Sequence, residues 1–309
     1  MAENLIAFFI IIAGGVFFQW KKPGNIEADA ARHVINTTVI RFFLPALCFK
    51  VIASSPIDKN TLLLPLSAIG TIFISLLIAF LIYALVEKWT HITKTEKAVL
   101  ILAGTFGNVT FLGLPVLSGL YGQDAAQYVL LYDLLATTPL LWIVGAAVAS
   151  SYGRGRRLTV KESFKILAQL PPIWALIAGF AFNFSGLALP SFLIKTLDLM
   201  SMPIVPLMIF SVGLALTAPN LKHTILALPA VALKLLIAPL AAFAISYFLG
   251  MQGLPLKASV MEAAMPTMVV TLVIASQFKL DHKLAALAIV LTTALSFISM
   301  PAISWLVAR

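Results

Sequence analysis

The chain has 309 residues, of which 61% are hydrophobic and 11% charged, with a formal net charge of +9. A water-soluble domain carries about a quarter charged residues, so this composition excludes a soluble globular protein and predicts an all-α polytopic membrane protein. The excess of positive charge does not mark a nucleic-acid partner, because topology explains where the charges fall.

Ten apolar blocks read as membrane spans, each near the ~20 residues that cross a bilayer as a helix. The first, residues 5–20, follows Glu3 and precedes Lys21 and Lys22 without a small-residue cleavage site, so it is a retained span and not a signal peptide. The second, 33–53, holds Arg41, which either binds an anion or snorkels to headgroups. It also holds Cys48, the single cysteine, read as buried packing. Lys50, nearer the outer face, is read as snorkelling. The third span is 62–86.

The fourth, 98–120, is interrupted by GTFGNVTFLGLP, with Gly104, Gly107, Asn108, Thr110, Gly113 and Pro115 inside twelve residues. At ~1.5 Å per residue, Asn108 lies close to the bilayer centre. The fifth span, 125–148, carries Asp133 near mid-depth. The polar run SSYGRGRRLTVKESFKILAQLPP then divides the chain. The domains are accordingly 1–150, a first five-helix repeat; 151–170, a basic cytoplasmic linker; and 171–309, a second repeat.

The sixth and seventh spans are 173–187 and 191–216. In the seventh, Asp198 stands three residues after Lys195, which allows a local pair. The eighth, 224–249, carries Lys234 near mid-depth. The ninth, 258–278, carries Met265, Pro266 and Thr267 about eight residues from its outer end, with Glu262 nearer the outer face. The tenth is 284–307.

Basic residues in short loops stay cytoplasmic. Loops after odd-numbered spans hold fourteen of them: Lys21, Lys22, Arg32, Lys88, Lys94, Lys97, Arg154, Arg156, Arg157, Lys161, Lys165, Lys222, Lys279 and Lys283. The other side holds Lys59, Lys195, Lys257 and Arg309. Both termini are therefore expected outside. Trp20, Trp89, Trp174 and Trp305 fall near span ends, as interfacial anchors do.

Five spans is an odd number, so a second five-span unit enters the membrane inverted. LPALCF (44–49) in the second span matches VPLMIF (205–210) in the seventh in the placing of proline and phenylalanine, and Pro115 in the fourth is paired with Pro266 in the ninth. Together these predict two inverted five-helix repeats with broken crossover helices 4 and 9.

Proline and glycine free backbone carbonyls, which hydrocarbon tolerates only where protein or water satisfies them. Two such breaks at equivalent places predict a binding site; a single one would read as interhelical packing with Asn108 as hydrogen-bonding glue. Asp133 and Lys234 are either a proton or substrate site or a buried structural pair. No metal-ligand cluster, phosphate-binding glycine loop or hydrolase constellation stands out, so no enzyme activity and no cofactor are expected.

These motifs resemble the auxin efflux carrier family, which includes bacterial transporters and the plant PIN-type auxin exporters. GNVTFLGLPVLSGLYG (107–122) is similar to its fourth-span signature, AAMPTMVVTLVIASQFKLD (263–281) to its ninth, and PPIWALIAGFAFNFSGLALP (171–190) to the opening of the second half in bacterial members. Where plant members have a second proline in the ninth span, this sequence has Thr271, and the long central loop of many plant exporters is absent. The resemblance implies a scaffold of spans one, two, six and seven, often a homodimer interface, and a transport bundle in which spans four and nine cross. Asn108 and Pro115 carry over directly, as does Pro266.

The expected function is a secondary transporter of a small organic anion, a carboxylate, by elevator-like alternating access in a cell membrane, the bacterial inner membrane. The expected substrate site is Gly107, Asn108, Thr110, Gly113, Pro115, Pro266, Thr267 and Thr271. Asp133, Lys234 and Arg41 are coupling or ion-pair candidates, with a proton or sodium as coupling ion. The alternatives are a sodium-coupled symporter of the bile-acid type and a membrane receptor that transports nothing.

Overall fold

The computed structural model describes residues 2–154, 158–216 and 223–308, without the side chains of 2–5 and 308. Arg156, Arg157, Lys222 and Arg309, used above to orient the chain, lie outside the described residues.

All regular structure among the described residues is helical. In chain order the helices are α1 (Ala2–Lys21), α2 (Ala28–Ser54), α3 (Asn60–Trp89), α4 (Lys94–Thr105), α5 (Val109–Tyr121), α6 (Ala125–Tyr152) and α7 (Val160–Ala168). They continue with α8 (Pro171–Phe184), α9 (Ser191–Ala215), α10 (Thr224–Phe248), α11 (Gly253–Ala263), α12 (Val270–Gln277) and α13 (His282–Ala308). Six of them, α2, α3, α6, α9, α10 and α13, are long and apolar enough to cross a membrane. The pair α7–α8, bent by 67°, makes seven when counted as one span. The other predicted spans consist of shorter helices: α1, α4 with α5, and α11 with α12. Part of the region assigned to a linker is regular, because α7 lies within it.

The outward surfaces are apolar, as lipid requires. On α3, Phe73 is followed at one-turn spacing by Leu77, Leu81 and Leu85, and all four are exposed.

Proline explains most departures from α geometry. Wide π turns occur at Val39–Phe43, Val109–Gly113, Asp133–Thr137, Leu141–Gly145 and Leu233–Ile237. Four of them precede a proline by two residues: Pro45, Pro115, Pro139 and Pro239. A proline has no N–H for the carbonyl four residues back and its ring crowds that carbonyl. In each case that carbonyl lies inside the π turn, where the widened helix accommodates it.

The chain forms two compact units. The first comprises Met1–Asp58, Thr110–Leu130 and Lys165–Ala215. In it α1 packs on α9 through Gly15 and Gly213, small residues that let the backbones approach. The end of α2 is closed by Asn183 of α8, whose Nδ2 donates to the carbonyls of Ile52 (2.9 Å) and Ser55 (2.8 Å). The Oγ of Ser211 donates to Oδ1 of Asn36 at 2.5 Å.

The second unit comprises Lys59–Val109, Leu131–Phe164 and Leu216–Arg309. Its core gathers Tyr83, Phe106 and Phe278, all fully buried, with aliphatic residues of α3, α4, α10, α12 and α13. Ser67, Ser246 and Ser259 join α3, α10 and α11 through a triangle of hydroxyl contacts at 2.8, 2.9 and 3.0 Å. α4 starts with a capping box: the Thr93 N–H donates to Glu96 Oε2 at 2.7 Å, and the Glu96 N–H donates to Thr93 Oγ1.

Adjacent glycines on α1 test this packing. A Cβ at Gly15 would stand 2.5 Å from the Phe210 carbonyl oxygen and 2.9 Å from the Gly213 Cα, whereas a Cβ at Gly14 meets nothing within 4 Å. Gly15→Ala should destabilise by about 1–3 kcal/mol through overpacking. Gly14→Ala should be neutral or stabilising by up to about 1 kcal/mol. Thermal unfolding midpoints in detergent compare the two.

Candidate functional site: the crossing of two broken helices

The chain between α4 and α5 meets the chain between α11 and α12 inside the second unit. Gly107 and Thr267 form an antiparallel bridge. The Asn108 N–H donates to the Pro266 carbonyl at 2.7 Å, and the Met268 N–H donates to the Phe106 carbonyl at 3.0 Å. Exchanging the two segments exchanges these two hydrogen bonds, and the residues that change places (Phe106 with Pro266, Gly107 with Thr267, Asn108 with Met268) stand 160 positions apart. Breaking each helix frees polar backbone groups, and the two breaks satisfy one another.

Two further freed carbonyls are matched by side chains. In an unbroken helix the Ala103 carbonyl would receive the Gly107 N–H and the Ala263 carbonyl the Thr267 N–H. Instead the Thr267 hydroxyl donates to the Ala103 carbonyl at 2.8 Å, and Lys234 Nζ donates to the Ala263 carbonyl at 2.5 Å. The Thr267 N–H is taken by Thr292 Oγ1 of α13 at 3.0 Å.

Around this crossing lie buried ionisable and amide groups. Asn108 is 2% exposed and Glu262 and Thr271 are fully buried. Asn108 Oδ1, Thr271 Oγ1 and both carboxyl oxygens of Glu262 have no hydrogen-bond partner among the described residues. Glu262 lies within charge range of both Asp133 and Lys234. Asp133, in the π turn of α6, accepts from the Thr138 hydroxyl at 2.8 Å. A Cβ added to Gly107 would stand 3.0 Å from Lys234 Nζ and 3.2 Å from the Met265 carbonyl oxygen, so this glycine leaves room for the amine.

The predicted residues thus separate into groups. Gly107, Asn108, Pro266, Thr267, Thr271, Asp133 and Lys234 belong to the second unit, and the bridge joins Gly107 and Asn108 to Pro266 and Thr267. Thr110, Gly113 and Pro115 belong to the first unit, buried in the π turn of α5 and just after it. Arg41 is exposed, on the π turn of α2. Pro115 and Pro266 do not hold equivalent places: Pro266 precedes the bridge by one residue and Pro115 follows it by eight.

Glu262 is fully buried in the protein. α11 begins at Gly253, not at residue 258, and stops at Ala263, so Glu262 sits at the helix end beside the break. Pro255, as a helix-start residue, was the available signal. Lys50 and Asp198 also depart from expectation. Neither snorkelling nor pairing with Lys195 describes them: Lys50 makes an ion pair with Asp198 across α2 and α9. Both line a cavity of about 670 Å³ in the first unit, together with Leu114, Pro115, Ser118 and Pro206.

The sequence profile of the family described as "Membrane transport protein" matches residues 1–170 and 156–304. The chain is 29% identical to an "Uncharacterized transporter" of Methanocaldococcus jannaschii over 307 residues, 98% of this chain and 97% of that protein. An "Uncharacterized transporter" of Methanothermobacter thermautotrophicus is 31% identical over 283 residues, 89% of this chain and 88% of that one. A protein of Rhizobium meliloti named "Putative malonate transporter" is 24% identical over 282 residues, 88% of this chain and 86% of its own.

The hydroxyl of Thr292 gives a direct test of how the crossing is held. Thr292→Val keeps the shape but leaves the buried Thr267 N–H without an acceptor, which should cost about 1–3 kcal/mol. Thr292→Ser should keep most of that stability. Thermal unfolding of the two variants beside the parent protein checks it.

Proposed function

The chain belongs to the membrane transport protein family, and on that premise we propose that it is a secondary transporter of a small organic anion, a carboxylate, working at the crossing of residues 107 and 267. The antiparallel bridge between two interrupted helices carries this reading. Secondary transporters present helix ends and open polar groups at such breaks. Here Thr271 Oγ1 is a hydroxyl that the protein leaves unmatched beside it, free to donate to a carboxylate, and Asn108 Oδ1 is an unmatched acceptor.

Carboxylate is the substrate class for two reasons. The first turns of α5 and α12 carry the positive ends of helix dipoles, which favour anions. The malonate in the name of the Rhizobium relative is a small dicarboxylate, which we extend to this chain as the first substrate to try.

The reciprocal hydrogen bonds at constant offset support ten spans arranged as inverted repeats, 1–150 and 171–309, joined by the segment 151–170. With both termini outside a cell membrane, alternating access would proceed by elevator-like displacement of the bundle carrying the crossing, in a homodimer held by its scaffold helices. The gradient of a proton, of sodium or of the substrate itself supplies the energy, with Asp133 and Lys234 as the buried groups placed to respond.

Uptake of radiolabelled malonate and other mono- and dicarboxylates into proteoliposomes tests the proposal. Asn108→Ala should lower uptake by roughly ten- to a hundredfold, the loss of one hydrogen bond to a charged ligand, and Pro115→Ala should lower it as well. Wild-type rates in both variants refute the crossing as the transport site.

A further inference from the structure

The two helix ends at the crossing are alike in backbone and unlike in side chain. α4 and α11 both stop there, so two C-terminal carbonyl ends, each equivalent to roughly half a negative charge, converge in a buried place. Glu262 and Asp133 add two carboxyl groups. At the α4 end the uncovered Ala103 carbonyl is matched by a neutral hydroxyl, that of Thr267. At the α11 end the equivalent Ala263 carbonyl is matched by the amine of Lys234. Gly107 stands where the other segment has Thr267. Lacking a side chain, it cannot supply a hydroxyl and instead leaves the space that the Lys234 amine fills. Lys97, the other buried lysine among the described residues, is matched by Glu87 at 2.5 Å, away from this place.

We propose that the Lys234 ammonium is the built-in cation of the crossing: it holds the position a bound monovalent cation would otherwise take against the Ala263 carbonyl at the end of α11, the helix that also carries Glu262, so the protein needs no sodium there. Carbonyl and carboxylate oxygens are the ligands that hard cations such as sodium prefer. The two unmatched oxygens of Glu262, fully buried, are the ligands such an ion would find once the amine is gone. The inference deepens the reading of the crossing as the transport site and rests on it for its relevance to transport, while its geometry stands independently.

The experiment is a melting series in detergent without substrate, in choline, sodium or methylammonium chloride at matched ionic strength. The parent protein should melt at one temperature in all three. Lys234→Ala should melt lower in choline and be raised by about 2–6 °C by sodium or methylammonium, which re-enter the vacated place. Lys234→Ala combined with Glu262→Gln should lose that rise. Lys234→Gln keeps a donor for the Ala263 carbonyl and removes only the charge. It should melt below the parent protein and serves where Lys234→Ala does not fold. Indifference of Lys234→Ala to the three cations overturns the proposal, as does a parent protein stabilised by sodium, or a Lys234→Gln that melts with the parent. Because no substrate enters this measurement, its failure leaves the Asn108 uptake result standing, and a failure of uptake leaves this one standing.

Discussion

In hydrocarbon a broken helix is tolerable only if the N–H and C=O groups it frees are satisfied by other protein atoms. Each group left bare costs several kcal/mol. One break alone has few ways to meet that demand; two breaks brought together meet it for each other, as Asn108 with Pro266 and Met268 with Phe106 do. The crossing is thus a condition for having either break at all. It also fixes which other residues must be present: Thr267, Thr292 and Lys234 are the side chains that match what the reciprocal backbone bonds leave over.

The π turns answer the same demand by other means. Where a single proline removes one donor, the helix widens by a residue, and the crowded carbonyl finds room without a second chain. The extra residue turns the following helix by roughly 100° relative to its α register. Arg41, Asp133 and Lys234 all sit in such turns, so three of the charges within the apolar segments stand where the backbone is least regular.

The parts of this arrangement that sequence made legible are those that depend on backbone chemistry. Gly107, Asn108 and Pro266 announced breaks because glycine and proline act on their own helix. The place of Glu262 beside the break was not legible, since it depends on where α11 starts and stops, and an apolar count begun at residue 258 ignores the first turn from Gly253. The matching of Pro115 with Pro266 was misleading, because the bridge sets the equivalence and the prolines do not share it. Thr292 gave no signal at all: a threonine in an apolar helix ordinarily bonds its own backbone, as this one also does to Ala288. The partnership of Lys50 with Asp198 spans 148 positions, while Lys195 lay three away and offered the simpler reading.

The asymmetry of the side chains at the crossing carries a consequence for charge. A pair of broken helices presents two negative C-terminal ends and two positive N-terminal ends to one place. With a hydroxyl on the Ala103 carbonyl and an ammonium on the Ala263 carbonyl, both negative ends are covered by donors. The first turns of α5 and α12 carry the positive ends, and Thr271 in α12 has a hydroxyl without a partner. The anionic ligand that we propose therefore draws on the positive helix ends, and does not require a cluster of basic side chains at the site.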